Sequence, residues 1–206
     1  DLGMKFRLRA DENAYKISLN GDLENVDLKG LHFTPENMAF SLGLDVNAEL
    51  KSDSTSSLQA VFSNIVLQDL ATRKLGNLEV TFSGLQNKTL LDVKAGDLTM
   101  KFEGDGVASG LLVEQIEKHD FNMEKLNELL PDFRLTIDAQ QENLLNSYLK
   151  SCGIRFERMN VDLGTDVSRD FGVSSKVYGL NIEGIVLDSV LIYARQKDVA
   201  LRYGVD

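Results

Sequence analysis

Between Met38 and Leu50 the chain alternates without a break: Met38, Phe40, Leu42, Leu44, Val46, Ala48 and Leu50 are apolar, and the residues between them are small or polar. Successive side chains of a β-strand point to opposite sides of a sheet. The pattern therefore predicts one strand that buries its even positions and turns Ser41, Asp45, Asn47 and Glu49 to solvent. Such a run spans about 43 Å, whereas a usual globular strand has about five or six residues. A chain that writes strands of this length builds a long apolar surface, and what that surface contacts becomes the functional question.

The same period of two fills most of the first half. Met4, Phe6 and Leu8 alternate, as do Tyr15, Ile17 and Leu19, then Val26 and Leu28, and, after the long run, Leu58 to Leu70. Strands follow at Leu78, Val80 and Phe82, at Leu91 and Val93, and at Leu98, Met100 and Phe102. Gly21-Asp22, Gly76-Asn77, Gly84, Gly96-Asp97 and Gly104-Asp105-Gly106 read as the tight turns between them, since glycine supplies positive φ without steric cost. The reading is an antiparallel meander over 1–109. Gly-Asp/Asn-Leu recurs at Gly21, Gly76 and Gly96, but at unequal spacings, which makes a loose hairpin repeat rather than a solenoid.

From about Gly110 to Gly153 the apolar spacing changes to three and four. Leu112, Val113 and Ile116 form one short helical face, and Met123, Leu126, Leu129 and Leu130 form another. Asn122 or Asp120 suits an N-cap between them, and Pro131 stops the second. A strand through Phe133, Leu135 and Ile137 leads to a third helix that starts near Asn143, presents Leu144, Leu145, Tyr148 and Leu149, and ends at Gly153. Alternation returns over 154–206 with Met159, Val161 and Leu163, Val173 and Val177, Leu180 and Ile182, Ile185 and Leu187, and Val190 and Ile192.

These helices are too few to cover ten or so strands, and every half-apolar strand needs its inner face removed from water. A second sheet, the same sheet curled over itself, or a ligand would each do so. Composition alone favours a closed two-sheet sandwich; the long strand favours the curled sheet. The predicted fold is a single mainly β unit, an elongated antiparallel sheet curled into a trough of β-taco or jelly-roll-like form, with two or three short α-helices inserted.

Composition narrows the chemistry. The chain has 206 residues and is 43% apolar, enough for a real core and against disorder. Its net charge of -10, with no basic cluster, argues against nucleic acid. Cys152 stands alone, so neither an internal disulfide nor a cysteine zinc site is available, and its neighbours Leu149 and Ile154 favour a buried thiol. No stretch approaches the roughly 18 to 20 apolar residues of a membrane helix, and no signal peptide opens the chain. Both ends have the look of cuts in a longer protein.

Motifs with catalytic overtones dissolve on inspection. Gly104-Asp105-Gly106-Val107-Ala108-Ser109-Gly110 imitates a dinucleotide loop, but its spacing is wrong by one residue and its preceding strand alternates. Asn87-Lys88-Thr89 matches a glycosylation acceptor and reads as a hairpin tip. Asp11-Glu12, Asp162 and Asp166 lack calcium-loop spacing, and His32 and His119 lie too far apart to suggest a metal or a triad. No catalytic, cofactor or metal residue is assigned; the chain argues for a surface, not a reaction.

The last hundred residues carry a resemblance. Leu130-Pro131-Asp132-Phe133-Arg134-Leu135, Asn146-Ser147-Tyr148-Leu149-Lys150, Gly153-Ile154-Arg155-Phe156, Val177-Tyr178-Gly179-Leu180 and Leu187-Asp188-Ser189 look like the TamB-type proteins of Bacteroidota, within the wider AsmA-like group. The likeness covers about 111–206; residues 1–108 agree only in their strand-and-glycine texture. The resemblance implies a long periplasmic protein anchored in the inner membrane, with an apolar-lined trough that serves outer-membrane biogenesis. Such proteins act either as conduits for phospholipid or as partners of a β-barrel assembly factor, and the helical insert would be a plug, a cap or a docking element. The candidate lining residues for acyl chains are Met38, Phe40, Leu42, Leu44 and Val46. The competing reading is a sealed β scaffold that docks an outer-membrane β-barrel assembly protein.

Overall fold

The computed structural model describes residues 2–32, 37, 39–52, 54–68, 72–85, 88–105, 131–151, 153–165, 170–197 and 200–206. Among the described residues there are fourteen strands, and they belong to one sheet. They are β1 (Leu2–Asp11), β2 (Ala14–Asp27), β3 (Ala39–Lys51), β4 (Thr55–Gln68), β5 (Thr72–Lys74), β6 (Leu78–Leu85) and β7 (Lys88–Ala95). There follow β8 (Leu98–Gly104), β9 (Phe133–Ala139), β10 (Ile154–Arg155), β11 (Arg158–Thr165), β12 (Phe171–Ile182), β13 (Ile185–Lys197) and β14 (Ala200–Val205). The sheet order is β1-β2-β3-β4-β6-β7-β8-β9-β11-β12-β13-β14, with β5 paired to β4 and β10 paired to β12. Every pair is antiparallel, so among the described residues the predicted meander continues beyond 1–109 through β14. The closed sandwich that composition favours is not formed.

The number of helices is a correction. Among the described residues there is one, α1 (Leu144–Ser151); the two helices expected over 110–130 lie outside the described residues, so the insert of two or three is not borne out. The single helix forms where its signals lie. Asn143 caps it, its Oδ1 accepting the backbone N–H of Asn146 at 2.8 Å. Gly153, at φ 77°, closes it and donates its N–H to the Lys150 carbonyl at 3.2 Å.

The glycine reading is corrected as well. Gly96-Asp97 does form the β7–β8 turn, at φ 65° for Gly96. Gly21 and Gly84, however, lie inside β2 and β6. A Cβ on Gly21 would sit 2.2 Å from the Gly3 carbonyl oxygen, so this glycine permits β1 to approach β2 rather than turning the chain. The irregular points of the strands fall instead on asparagine. β2 bulges between Leu23 and Val26 and the β3–β4 register shifts between Ser41 and Gly43, with Asn25 at φ 52° and Asn64 at φ 51°. Asparagine tolerates the left-handed region through local hydrogen bonding, and Asn25 donates its N–H to Ser41 Oγ at 2.9 Å. Both bulges flank Leu42, so β3 runs straight while its neighbours absorb the extra residues.

One polar knot joins the first half to the second. The Asp97 carboxylate accepts hydrogen bonds from the backbone N–H of Gln140 (3.2 Å) and Glu142 (2.7 Å) and from Asn143 Nδ2 (2.6 Å). Burial alone would raise the Asp97 carboxyl, but the Asn143 side chain and the amides of Glu142, Gln140 and Gln141 outweigh it and hold the carboxyl below its ordinary value. A Cβ on Gly96 would lie 2.1 Å from the Glu142 carbonyl oxygen, so only glycine fits beside this loop. Asn146, fully buried, donates from Nδ2 to the carbonyls of Gln140, Gln141 and Phe156, tying α1 to the strands on both sides of it.

Candidate functional site

Strand pairing sorts side chains into rows across the sheet, and one face is apolar from edge to edge. From β1 one row runs through Leu8, Ile17, Ala48, Leu58, Phe82 and Leu91. It continues to β14 through Phe102, Leu135, Leu163, Val173, Ala194 and Tyr203. All twelve positions are apolar or aromatic, and at about 4.8 Å per strand the row is about 53 Å wide. The adjacent row starts at Phe6 and Leu19, passes Val46, Ala60 and Val80, and ends at Ile192 and Val205, with Ser175 as its one polar member.

Of the predicted lining residues, Phe40, Leu42, Leu44 and Val46 lie on this face, each half-buried; Met38 lies outside the described residues. β3 is thus one strand in twelve of a larger surface, and the residues of β6 to β13 that complete it carry the same period-two signal. What the sequence does not show is that these periods come into register.

The opposite face is polar. Its row reads Arg7, Ser18, Asn47, Gln59, Thr81 and Asp92, then Lys101, Thr136, Asp162 and Ser174. Arg134 spans two strands to Asp162 at 2.7 Å, and this hydrogen bond and charge hold the guanidinium above its ordinary value. Two depressions of about 570 and 440 Å³ also lie on this face, the first floored by the paired Gly164 and Gly172 and walled by Arg134, Asp162 and Tyr193. They are shallow furrows between polar rows. The apolar side is a broad surface rather than a pocket.

No second layer covers that surface among the described residues. Among the described residues the buried hydrophobic ones are Ala60, Ala95, Phe133, Ala139 and Phe156, three of them alanines. The chain exposes 14019 Å², whereas a compact monomer of 22.9 kDa exposes about 9,600 Å². Exposure rises toward the edges, reaching 63% at Phe6 and 79% at Tyr203. Among the described residues a hydrophobic cluster sits around Phe133, against Phe102, Leu163 and Phe171.

Chemistry beyond burial has little to build on. Among the described residues no group of three or more His, Cys, Asp or Glu is placed to hold a metal ion, and no helix is long and apolar enough to cross a membrane. His32 sits in the turn after β2, Asp11 and Glu12 lie at the β1–β2 turn, and His119 and Cys152 lie outside the described residues. No protein-family model, curated protein or solved structure matches the chain.

Proposed function

We propose that the chain is a non-enzymatic segment of a periplasmic protein of the TamB-like, AsmA-like kind, anchored in the inner membrane, whose apolar sheet face conducts phospholipid acyl chains between membranes during outer-membrane biogenesis. The observation that supports this reading is the unbroken apolar row from Leu8 to Tyr203 on a face without a second layer among the described residues. Exposing an acyl chain to water costs about 0.8 kcal/mol per CH₂, hence about 12 kcal/mol for a sixteen-carbon tail. A wide apolar surface removes most of that cost without recognising the headgroup, which accords with a face that places almost no polar atom among its Phe, Leu, Val and Met side chains. The polar opposite face and the net charge of -10 keep such a sheet in solution.

The test is a photo-crosslinking amino acid placed at Phe40 or Leu58 on the apolar face and at Asp45 or Gln59 on the polar one. The purified chain is then irradiated with phosphatidylethanolamine–phosphatidylglycerol vesicles and searched for lipid adducts by mass spectrometry. Adducts at Phe40 and Leu58, with at least tenfold fewer at Asp45 and Gln59, are expected. Equal labelling of both faces, or none in a folded chain, would reject lipid carriage and favour the scaffold that docks a β-barrel assembly protein.

A further inference from the structure

Neither backbone conformation nor packing calls for a glycine at position 172. Gly172 lies in β12 outside the left-handed region, and a Cβ built on it would meet nothing among the described residues within 4 Å. Its partner Gly164 differs, because a Cβ there would stand 2.5 Å from the Phe133 carbonyl oxygen. A glycine inside a strand gives up side-chain packing and costs ordering entropy. What Gly172 keeps is open space. Together with Gly164 it leaves bare backbone as the floor of the larger furrow on the polar face, whose volume of about 570 Å³ is that of a small-molecule site. One wall is a fork in which Arg134 donates from Nε to Asp162 Oδ1 at 3.2 Å and from Nη2 to Oδ2 at 2.7 Å. Both groups stay more than half exposed, at 68% and 51%, so they still face solvent over the floor. The other wall is Tyr193, whose ring reaches down over Gly204, its hydroxyl 2.5 Å from where a Cβ of that glycine would stand. Ser174 stands between the walls, paired with Asp162 on one side and Tyr193 on the other.

We propose that this furrow binds a neutral saccharide, one pyranose lying flat on the Gly164–Gly172 floor against Tyr193, with neighbouring hydroxyls held by the Arg134–Asp162 fork and Ser174. The charges that line the furrow balance, Arg134 and Arg195 against Asp162 and Asp170, so it selects neither an anion nor a cation. The net charge of -10 opposes an anion at longer range. A guanidinium only donates hydrogen bonds and a carboxylate only accepts them. Side by side in one plane, they match adjacent hydroxyls, each of which does both, and charged partners make such bonds stronger than neutral ones. The C–H faces of the sugar ring need a flat, weakly polar surface, which bare strand backbone and the body of a tyrosine ring supply. The smaller furrow, about 440 Å³, lacks these parts: no glycine lines it, and its aromatic residue, Phe82, belongs to the apolar row. The saccharide site lies on the face opposite the apolar one, so it stands whether or not that surface carries lipid.

The test is a titration of the ¹⁵N-labelled 206-residue chain with cellotetraose and with maltotetraose, each to about 20 mM, followed by amide chemical shifts. Saturable shifts at Gly164, Gly172, Ser174 and Tyr193 are expected with at least one of the two sugars, at a dissociation constant of about 1 mM because the furrow is open and shallow. Ser57 and Gln59, in the smaller furrow, should not move. Gly172→Thr fills the floor with a side chain that suits a strand, so it should weaken binding at least tenfold while the urea midpoint stays the same or rises. Asp162→Asn, which keeps the shape of the wall but not its charge, should weaken binding about fivefold. Absence of saturable shifts with both sugars, or undiminished binding by Gly172→Thr, would overturn the assignment. A lowered urea midpoint in that variant would overturn it too, by showing that the fold itself requires the glycine. So would sodium sulfate moving the same amides at lower concentration than either sugar, which would make the furrow an anion site.

Discussion

Replacing Asp97 with alanine is expected to lower the free energy of unfolding by about 3 kcal/mol at neutral pH, read from urea denaturation. Three hydrogen bonds end on this carboxylate, and they hold the loop that caps α1 against the β7–β8 turn. Without it the Gln140 and Glu142 amides lose their acceptor and Asn143 loses its anchor, so the helix and the turn separate together. Asp97→Asn, which retains an acceptor oxygen but no charge, should cost about half as much. The pH dependence follows from the direction of the shift. Asp97 is held below its ordinary value in the folded chain, so its charged-state stabilisation is full above the ordinary carboxylate value, about 3.9, and is lost as pH falls through the lower folded one. Between pH 5 and pH 2 the native chain should therefore lose more stability than the Asn variant. Parallel loss in both would mean that the hydrogen bonds to Asp97 do not matter energetically.

Phe133→Ala is expected to cost about 3 to 4 kcal/mol by the same measurement, and Phe133→Leu about 1 to 1.5 kcal/mol. Phe133 is 8% exposed and is the buried phenylalanine that carries the hydrophobic cluster; its ring stacks on Phe102 at 6.2 Å with Leu163 and Phe171 beside it. Its backbone is fixed as well: the Phe133 N–H donates to Thr165 Oγ1 at 3.0 Å, and that hydroxyl donates to the Pro131 carbonyl at 3.1 Å. Among the described residues, Phe102, Leu163 and Phe171 are the side chains packed against it, and they would have to close the space left behind. A cost below 1 kcal/mol would show that the cluster is as wet as the rest of the face.

Much of this was legible in advance because period two is a local signal. The strand expected over Met38–Leu50 is Ala39–Lys51, and the alternation at Tyr15, Leu58, Leu91, Leu98, Leu135 and Val161 marks β2, β4, β7, β8, β9 and β11. The cap at Asn143 and the stop at Gly153 follow from helix chemistry confined to a few residues. What stayed hidden depends on distant partners. Gly21 is required by Gly3, and Gly96 by Glu142, contacts that no spacing reveals. Asp97 is joined to residues 43 to 46 positions away, so its role looked like that of an ordinary turn residue. The β12–β13 turn uses Glu183 at φ 50° beside Gly184 at φ 93°, and a glutamate there gives no turn signal. β5, three residues long, is too short for any period. Whether the strands divide into two sheets or share one is decided by register, and register is set by bulges at Asn25 and Asn64 and by turn lengths, not by apolar content.

The face that no second layer covers among the described residues also has a calorimetric consequence. The heat capacity of unfolding reports apolar surface that is dry in the folded chain and wet in the unfolded one, and a compact protein of 206 residues would show about 2.5 to 3 kcal/mol/K. A sheet whose apolar side is already hydrated has less surface left to expose. Its heat capacity change should fall below that range and its stability curve should be flatter, so that it cools and warms with the thermal behaviour of a smaller protein. Acyl chains bound along the face would restore the missing increment, which makes the curvature of stability with temperature a measure of how much of the sheet is occupied.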